Sequence, residues 1–163
     1  MSPDIQKIIS LLKLEPLPEE GGFFRQTYLA SETFEKSGKQ RPLATAIYFL
    51  ITPNDFSALH RLKTDELYHF YAGDPIEQLL LFPDGHSETR ILGNDLLEGQ
   101  EPQALVPADT WQGSRLLPKG KWALIGCTLS PGWIESDLGI ANAQDLISQF
   151  PDRSDLILAL SRE

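Results

Sequence analysis

The stretch HRLKTDELYHFYAG, residues 60–73, decides the fold of this chain. Two runs that alternate apolar and polar residues, FSALHRL at 56–62 and ELYHFYA at 66–72, meet there at a polar turn. Short runs of this kind, bounded by turn-forming residues, are typical of β-strands. The stretch therefore predicts two strands joined as a hairpin, with His60 near the end of the first and Glu66 at the start of the second.

Strand alternation assigns one set of side chains to a single face of this predicted hairpin, because successive side chains of a strand point to opposite faces. The shared face is predicted to carry Phe56, His60, Glu66, Tyr68 and Phe70. A glutamate is seldom buried without a partner, and burial raises the pKa of a carboxyl unless a donor stabilises its charge. His60, Glu66 and Tyr68 are therefore candidate catalytic residues. A purely structural hydrogen bond between His60 and Glu66 is the alternative.

The chain between Leu43 and Thr128 repeats the same pattern. Short runs rich in β-branched and aromatic residues follow one another at intervals of about ten residues. Turn-forming sequences separate them, namely TPND, GDP, PDG, GN and PKG. Regularly spaced short strands without helices between them indicate a β-sandwich or a barrel rather than a parallel sheet.

Helical segments are predicted at both ends of a single domain that spans residues 1–163. Isoleucine and leucine recur at helical spacing behind Ser-Pro-Asp, which predicts a helix over residues 3–14. Two helical turns are predicted within residues 142–162, and Asn142 is the expected N-cap of the first. The barrel is expected over about residues 22–138, with a polar loop at 31–41.

Composition and charge exclude several classes of protein. The formal net charge is −9, whereas binding to phosphates needs a basic surface, so nucleic acid is excluded as a partner. A membrane is excluded too, because no apolar run approaches the roughly 18 residues of a span and no Lys/Arg cluster is present. The N-terminus lacks the features of a signal peptide. Cys127 is the single cysteine, so the cytoplasm is the expected location.

Residues 60–73 resemble the first signature of the cupin superfamily, H-x-H-x3-E-x6-G. His60, Glu66 and Gly73 match this signature, whereas Leu62 stands at the position of its second histidine. The resemblance implies a mainly β fold, a double-stranded β-helix or cupin jelly-roll barrel, with the histidine and the glutamate on its inner wall. A barrel of this size can hold one small ligand.

A degraded form of the second cupin signature lies at residues 107–112, PADTWQ. Its proline matches, but Asp109 replaces the turn glycine and Gln112 replaces the histidine. A transition-metal site normally has three or more imidazole, carboxylate or thiolate ligands. No metal cofactor is therefore predicted, and a weak metal site at His60, Glu66 and Gln112 is the alternative.

Further blocks in the same order resemble a widespread family of small, largely uncharacterised cupins with an RmlC-like jelly roll. The blocks are EGGFFRQTY at 20–28, HRLKTDE at 60–66, VPADTWQ at 106–112 and PG at 131–132. The resemblance implies a homodimer and a pocket similar to those of sugar-nucleotide epimerases and isomerases. The implied pocket residues are His60, Glu66, Tyr68 and Gln112.

Three functions agree with such a pocket. The first is metal-free isomerisation or epimerisation of a sugar-like or other small oxygenated metabolite, with His60 as base, Glu66 as its orienting partner and Tyr68 as acid. The second is binding of a metabolite without catalysis. The third is a metal-dependent cupin enzyme. A sugar nucleotide is disfavoured, because Arg25 and Arg61 are the only nearby cations for its phosphates and Arg61 alternates outward.

Four further residues complete the predicted ligand site beside Gln112. Trp111 adjoins Gln112 at the predicted barrel mouth and is expected to cover a ligand, and Phe56 and Phe70 are expected to line the pocket. Arg25 lies on a predicted strand that we expect to pair with a partner subunit, because a strand outside the barrel needs an edge. Arg25 is therefore a candidate for the partner's pocket.

Overall fold

Short antiparallel strands form most of the structure, a computed structural model that describes residues 1–36 and 38–162. The strands are β1 (Glu15–Pro16), β2 (Phe23–Leu29), β3 (Thr33–Lys36), β4 (Lys39–Pro42), β5 (Thr45–Ile51), β6 (Ser57–Arg61), β7 (Glu66–Gly73), β8 (Ile76–Leu81), β9 (Ser87–Leu92), β10 (Gln103–Val106), β11 (Trp111–Leu116), β12 (Ala123–Leu129) and β13 (Gly139–Ile140). A six-stranded sheet has the order β1-β2-β5-β12-β7-β10, and a five-stranded sheet has the order β13-β6-β11-β8-β9. Strands β3 and β4 form a separate hairpin.

Helices lie outside the two sheets. They are α1 (Pro3–Leu12), α2 (Ala143–Gln149) and α3 (Ser154–Ala159), with short 3-10 turns at Leu96–Glu98, Glu135–Asp137 and Pro151–Arg153. Over residues 1–36 and 38–162, no helix has the length and apolar character needed to cross a membrane.

The helix boundaries follow from their capping residues. The hydroxyl of Ser2 accepts a hydrogen bond from a first-turn backbone N–H of α1 at 3.3 Å. Lys13 adopts a left-handed φ of 53°, which ends the helix at Leu12, two residues before the predicted boundary. The side chain of Asn142 accepts from the backbone N–H of Asp145 at 3.1 Å and caps α2 as predicted.

The two sheets face each other and enclose the main core. Side chains from both inner faces are buried there: Phe49, Ile51, Tyr68, Phe70, Ile76, Leu80, Leu92, Ala104, Val106, Ala123, Ile125 and Cys127. Helices α2 and α3 cover the outer face of the five-stranded sheet, and α1 covers part of the outer face of the other. The predicted mainly β jelly-roll barrel, with helices at both ends, is confirmed.

The strands that carry His60 and Glu66 do not form the predicted hairpin. β6 pairs with β11 and β13 in the five-stranded sheet, whereas β7 pairs with β12 and β10 in the six-stranded sheet. Residues 62–65 carry the chain from one sheet to the other, and both side chains remain buried. The hairpin prediction is wrong because alternation indicates the face of a side chain but not the partner of its strand.

A bulge in β6 reverses the predicted face of Phe56. Ser57 pairs with Ser114 and His60 pairs with Gln112, so β6 has one more residue than β11 over this stretch. The extra residue shifts the alternation by one position. Phe56 therefore packs in the outer core beneath the C-terminal helices, and its predicted place beside His60 inside the barrel is wrong.

Two segments before residue 45 pair within the chain. The predicted polar loop at 31–41 contains the hairpin of β3 with β4 instead, whose strands pair over Thr33–Lys36 and Lys39–Pro42. Strand β2 pairs with β5 along its length on one side, whereas β1 covers only Phe23 and Phe24 on the other side. Pairing of the rest of β2 with a partner subunit stays a prediction.

Gly22 ends the tight turn between β1 and β2 and has no room for a side chain. Its φ is +72°, and a Cβ atom there would lie 2.7 Å from the Phe49 ring and 2.8 Å from the carbonyl oxygen of Leu50. Gly99 has nearly the same φ, +75°, but a Cβ atom there would meet no heavy atom within 4 Å. The two glycines thus separate backbone strain from steric overlap.

We expect Gly22→Ala to lower the free energy of unfolding by more than Gly99→Ala does. The left-handed backbone costs alanine roughly 1–2 kcal/mol at either position. At Gly22 the overlap with the core adds roughly 1–3 kcal/mol. Denaturant unfolding of the two variants measures the difference, and equal losses would show that the turn does not pack against the barrel as described.

Candidate functional site

A cavity of about 400 Å³ lies beside the inner face of the six-stranded sheet. The turn at 17–20, the inner faces of β2 and β5, and residues from β7, β12 and the segment before β13 form its wall. The lining residues are Leu17, Pro18, Glu19, Glu20, Phe24, Gln26, Thr45, Ile47, Leu62, Glu66, Leu129, Trp133, Glu135 and Leu138. This volume is in the range of pockets that hold one small metabolite.

The wall of the cavity is mostly apolar and carries an excess of acidic groups. Its ionisable residues are Glu19, Glu20, Glu66 and Glu135, and none of the described residues that line it is a lysine, arginine or histidine. Carboxylates that line a cleft repel anions and attract cations. The cavity therefore disfavours ligands with phosphate or carboxylate groups.

Glu66 opens β7 and is the buried acid of this wall, with an exposed fraction of 5%. The side-chain amide of Gln112 on β11 donates a hydrogen bond from Nε2 to Oε2 of Glu66 at 2.6 Å. Burial raises the pKa of Glu66 and the charge of Glu20 raises it further, while His60 and the donor Gln112 oppose the shift. Because the net effect is a raised pKa, Glu66 can take up and release a proton at a higher pH than an exposed glutamate.

His60 lies on β6, is almost completely buried, and contacts the cavity through Glu20. Its Nδ1 is 2.7 Å from the carbonyl oxygen of Ala58, which can only accept, so Nδ1 carries a proton. Its Nε2 lies 3.4 Å from Oε2 of Glu20. Nε2 is thus the ring nitrogen that faces the Glu20 carboxylate at the cavity wall.

Glu20 reaches His60 because the turn over residues 17–22 folds across the end of the barrel. The backbone N–H of Leu17 donates to the carbonyl of Gly22 at 3.0 Å and closes the turn. The carbonyl of Glu20 accepts from the N–H of Ala58 at 2.7 Å, which attaches the turn to β6. The sequence prediction did not include Glu20 among the site residues, although it opens the EGG block, since no local spacing connects it to His60.

Tyr68 and Cys127 lie behind Glu66 in the main core. They are cross-strand partners on β7 and β12, and each has an exposed fraction of 2%. The thiol is buried in the same core cluster as the Tyr68 ring. Burial, followed by the charge of Glu66, raises the pKa of the Tyr68 hydroxyl and of the Cys127 thiol well above their usual values. Both groups therefore stay protonated at neutral pH, and neither is part of the cavity wall.

Two of the predicted ligand-binding residues lie on the outer face of the five-stranded sheet. Gln112 points into the barrel, so its neighbour Trp111 points outward, where the guanidinium of Arg61 lies 4.6 Å from the ring centre. Phe56 is also on this side, with the guanidinium of Arg162 4.5 Å from its ring centre. Neither aromatic ring contributes to the cavity wall.

The other predicted ligand-binding residues are also separate from the cavity. Phe70 is buried in the main core, and Arg25 lies with its guanidinium 5.3 Å from the centre of the Tyr48 ring. Phe24 and Gln26, on either side of Arg25, line the cavity. Alternation along β2 therefore turns Arg25 to the outside of the barrel.

The donor groups around Glu66 do not fit a transition-metal site. Within the described part of the chain, no group of three or more His, Cys, Asp or Glu side chains could hold a metal ion. His60 Nε2 faces Glu20, Glu66 accepts from Gln112, and Leu62 has no donor atom. The weak alternative site at His60, Glu66 and Gln112 thus has two strong ligands, where three are normal.

Sequence comparison connects this chain to proteins without an assigned activity. A sequence model of a protein family, described as Cupin superfamily (DUF985), matches residues 6–141. The uncharacterized protein YML079W of Saccharomyces cerevisiae is 26% identical over 140 residues, which cover 77% of this chain and 70% of the yeast protein. The match to the family model includes every residue of the cavity wall.

Two solved structures with similar sequences share nearly the whole fold, and a third is similar in fold alone. Protein SO0799 of Shewanella oneidensis superposes with a TM-score of 0.88 and 34% identity, over 96% of each chain. A hypothetical protein from Leishmania major gives a TM-score of 0.89 and 28% identity, over 97% of this chain and 98% of the other. Oxalate decarboxylase from Bacillus subtilis gives a TM-score of 0.56 and 16% identity, over 94% of this chain and 38% of that enzyme, a likeness of fold alone.

We expect the free energy of unfolding of the wild type to fall as the pH rises through the pKa of Glu66. Glu66→Gln should not show this fall. The pKa of Glu66 in the folded protein is raised above its ordinary value of 4.5, so the folded state keeps this proton after the unfolded chain has lost it. Below about pH 4.5 both states are protonated. From there up to the folded pKa, the wild type loses stability, whereas a neutral glutamine does not.

Denaturant unfolding from about pH 4 to about pH 8 measures this effect as the difference in unfolding free energy between variant and wild type. The difference should move in favour of Glu66→Gln as the pH rises. Glu32→Gln, which removes an exposed carboxyl outside the barrel, is the control and should show no such trend. A constant difference for Glu66→Gln would contradict the raised pKa.

Proposed function

The chain belongs to the cupin superfamily (DUF985), and on this premise we propose that its cavity binds one small, uncharged or positively charged oxygenated metabolite and transfers a proton on it without a metal. The observation that carries the proposal is the buried carboxyl of Glu66 in the wall of a mostly apolar cavity. The reaction class is isomerisation or epimerisation, in which a proton leaves and returns next to a carbonyl.

Two carboxyl groups in different surroundings supply the base and the acid. Glu66 is buried and has a raised pKa, so its carboxylate is a stronger base than an exposed one. Oε2 of Glu20 lies 3.4 Å from Nε2 of His60, and Glu20 lines the same cavity. In this mechanism Glu66 removes the proton from carbon, and the pair of Glu20 with His60 donates a hydrogen bond to the developing oxyanion.

The charge of the wall supports a ligand without anionic groups. The four glutamates of the cavity would face any phosphate, and no cation among the described lining residues would neutralise it. Arg25 and Arg61, the cations considered for phosphate binding, lie outside the barrel. A free sugar or an amino sugar, each of which has a carbonyl in its open-chain form, therefore fits better than a sugar nucleotide.

We expect the protein to discriminate within a matched series that consists of one hexose, its amino sugar and its phosphate ester. The phosphate should bind at least about tenfold more weakly than the other two, because it enters a cavity with several carboxylates. Calorimetric titration measures the three affinities. Glu135→Gln should narrow the difference and Glu32→Gln should leave it unchanged, whereas preferred binding of the phosphate would contradict the proposal.

The proton transfer itself predicts exchange with solvent. For a carbonyl compound that binds, we expect the wild type in heavy water to replace the hydrogen next to the carbonyl with deuterium, detected by NMR. Glu66→Gln should abolish this exchange and keep the binding, because glutamine retains the shape but cannot act as a base. Exchange that continues in Glu66→Gln would rule out Glu66 as the base.

A binding protein without catalysis is the second candidate, favoured by the large apolar share of the wall. Binding without exchange in the wild type would favour it. A metal-dependent enzyme is the third. Its test is the metal content of the purified protein, measured by mass spectrometry after incubation with Mn, Fe, Ni or Zn. Near-stoichiometric metal that is lost in His60→Ala would favour a metal-dependent enzyme over metal-free proton transfer.

We further propose that the protein acts in the cytoplasm as a homodimer. The free thiol of Cys127 is buried, which agrees with a reducing compartment. Along the six-stranded sheet, Tyr28, Leu29, Tyr71 and Leu105 are about half exposed, and we propose them as candidate residues of the subunit contact. Light scattering of the purified protein tests the dimer directly.

A further inference from the structure

A row of four polar side chains crosses the barrel from the edge of one sheet to the cavity. Arg90 on β9 donates from Nε to Oε1 of Gln78 on β8 at 2.8 Å. Gln78 donates from Nε2 to Oε1 of Gln112 at the longer distance of 3.5 Å, and Gln112 donates to Glu66 at 2.6 Å. Both amides are buried, with exposed fractions of 0% and 1%. We call this row the Arg90 relay.

The chemistry of Arg90 fixes the direction of every bond in the relay. A guanidinium has donors and no acceptor, so the atom of Gln78 that faces it must be the carbonyl oxygen. The amide nitrogen of Gln78 is then left to donate to the carbonyl oxygen of Gln112. In turn, the amide nitrogen of Gln112 must face Glu66. The orientation of two amides, which is otherwise ambiguous, follows from the one cation at the end of the row.

The guanidinium is held in place at the open side of the barrel. β9 is the last strand of the five-stranded sheet and β10 is the last strand of the six-stranded sheet. Arg90 Nη1 donates to the carbonyl of Leu105 on β10 at 3.0 Å, so the side chain bridges these two edges. Burial lowers the pKa of Arg90, and the charges of Glu101 and Glu88 oppose this shift. Arginine stays charged in proteins, so the relay keeps its direction at every working pH.

We propose that Arg90 and Gln78 are positioning residues that hold Gln112 as a hydrogen-bond donor to Glu66. A donor at this place stabilises the carboxylate form of a buried acid. The other groups that face Glu66 are His60, Glu20, Cys127 and Tyr68. These four groups can gain or lose a proton. The relay differs from them, because its two amides do not titrate and Arg90 stays charged.

The inference deepens the proposed function, because it names what keeps Glu66 available as a base. Its test needs no ligand and no activity, so it can fail while the proposed function stands, and the reverse also holds. The measurement is the titration of Glu66, followed through the carbon-13 resonance of its carboxyl in protein with labelled glutamate. The spectrum of Glu66→Gln assigns this resonance.

Gln78→Glu is the variant that reverses the relay with little change in size. A carboxylate at this position still accepts from Arg90, but it has no N–H for Gln112. While the carboxylate at position 78 stays ionised beside Arg90, we expect the amide of Gln112 to turn so that Nε2 donates to position 78 and Oε1 faces Glu66. Since Oε1 can only accept, Glu66 can bond to it only when protonated, and the titration of Glu66 is expected to move to higher pH.

A double-mutant cycle separates this effect from the added negative charge, which by itself also moves the titration of Glu66 upward. In the background Gln112→Met the charge remains but there is no amide to turn. We expect Gln78→Glu to shift the titration clearly more in the wild-type background than in Gln112→Met. Glu77→Gln, which changes one charge on the outer face of β8 beside Arg115, is the control and should not shift it. Equal shifts in the two backgrounds would overturn the proposal.

The wild-type protein provides a second measurement in case Gln78→Glu does not fold. The side-chain amide resonances of Gln112 and Gln78 should move together with the titration of Glu66, with the larger change at Gln112. The amide of Gln149, which donates to a backbone carbonyl on α2, should not follow it. An unchanged Gln112 amide during the titration of Glu66 would overturn the proposal without any variant.

Discussion

The burial of the Glu66 carboxyl sets requirements that much of the barrel interior meets. A buried carboxyl costs free energy unless donors face it or it takes up a proton. Gln112 supplies one donor, and its own carbonyl oxygen then needs a donor, which Gln78 provides. Gln78 in turn needs one for its oxygen, and Arg90 supplies it. The row of polar side chains through an apolar core thus follows from one acid, because each buried amide must satisfy both its ends.

The same acid connects the barrel to the turn at its open end. Glu20 enters the cavity from the turn at 17–22, where its carboxylate meets His60 and raises the pKa of Glu66 through like charge. Leu62 and Gln112 stand where the cupin signatures have histidines. In this barrel His60 faces Glu20, and Glu66 accepts a hydrogen bond from Gln112.

The sequence contains enough local information for the fold but not for the partners of its strands. Turn residues and alternation predicted a β-sandwich or barrel, and helical spacing with capping residues predicted the flanking helices, because these signals are local. The resemblance to cupins implied that the barrel is a jelly roll. The local pattern could not predict which strands pair with β6 and with β7, because a strand's partner is decided by packing of the whole chain. The bulge that turns Phe56 outward has no sequence signal here. Glu20 was missed for a similar reason, because only the folded turn brings it to His60.

The decisive measurement is the titration of Glu66 in the wild-type protein, followed through the carbon-13 resonance of its labelled carboxyl. We expect a midpoint above 4.5, the ordinary value, because burial outweighs the donors that face this group. A midpoint at or below 4.5 would show that the pKa of Glu66 is not raised. Glu66 would then be a permanently ionised carboxylate, stabilised by Gln112 and His60, and a weak base for the proposed proton transfer.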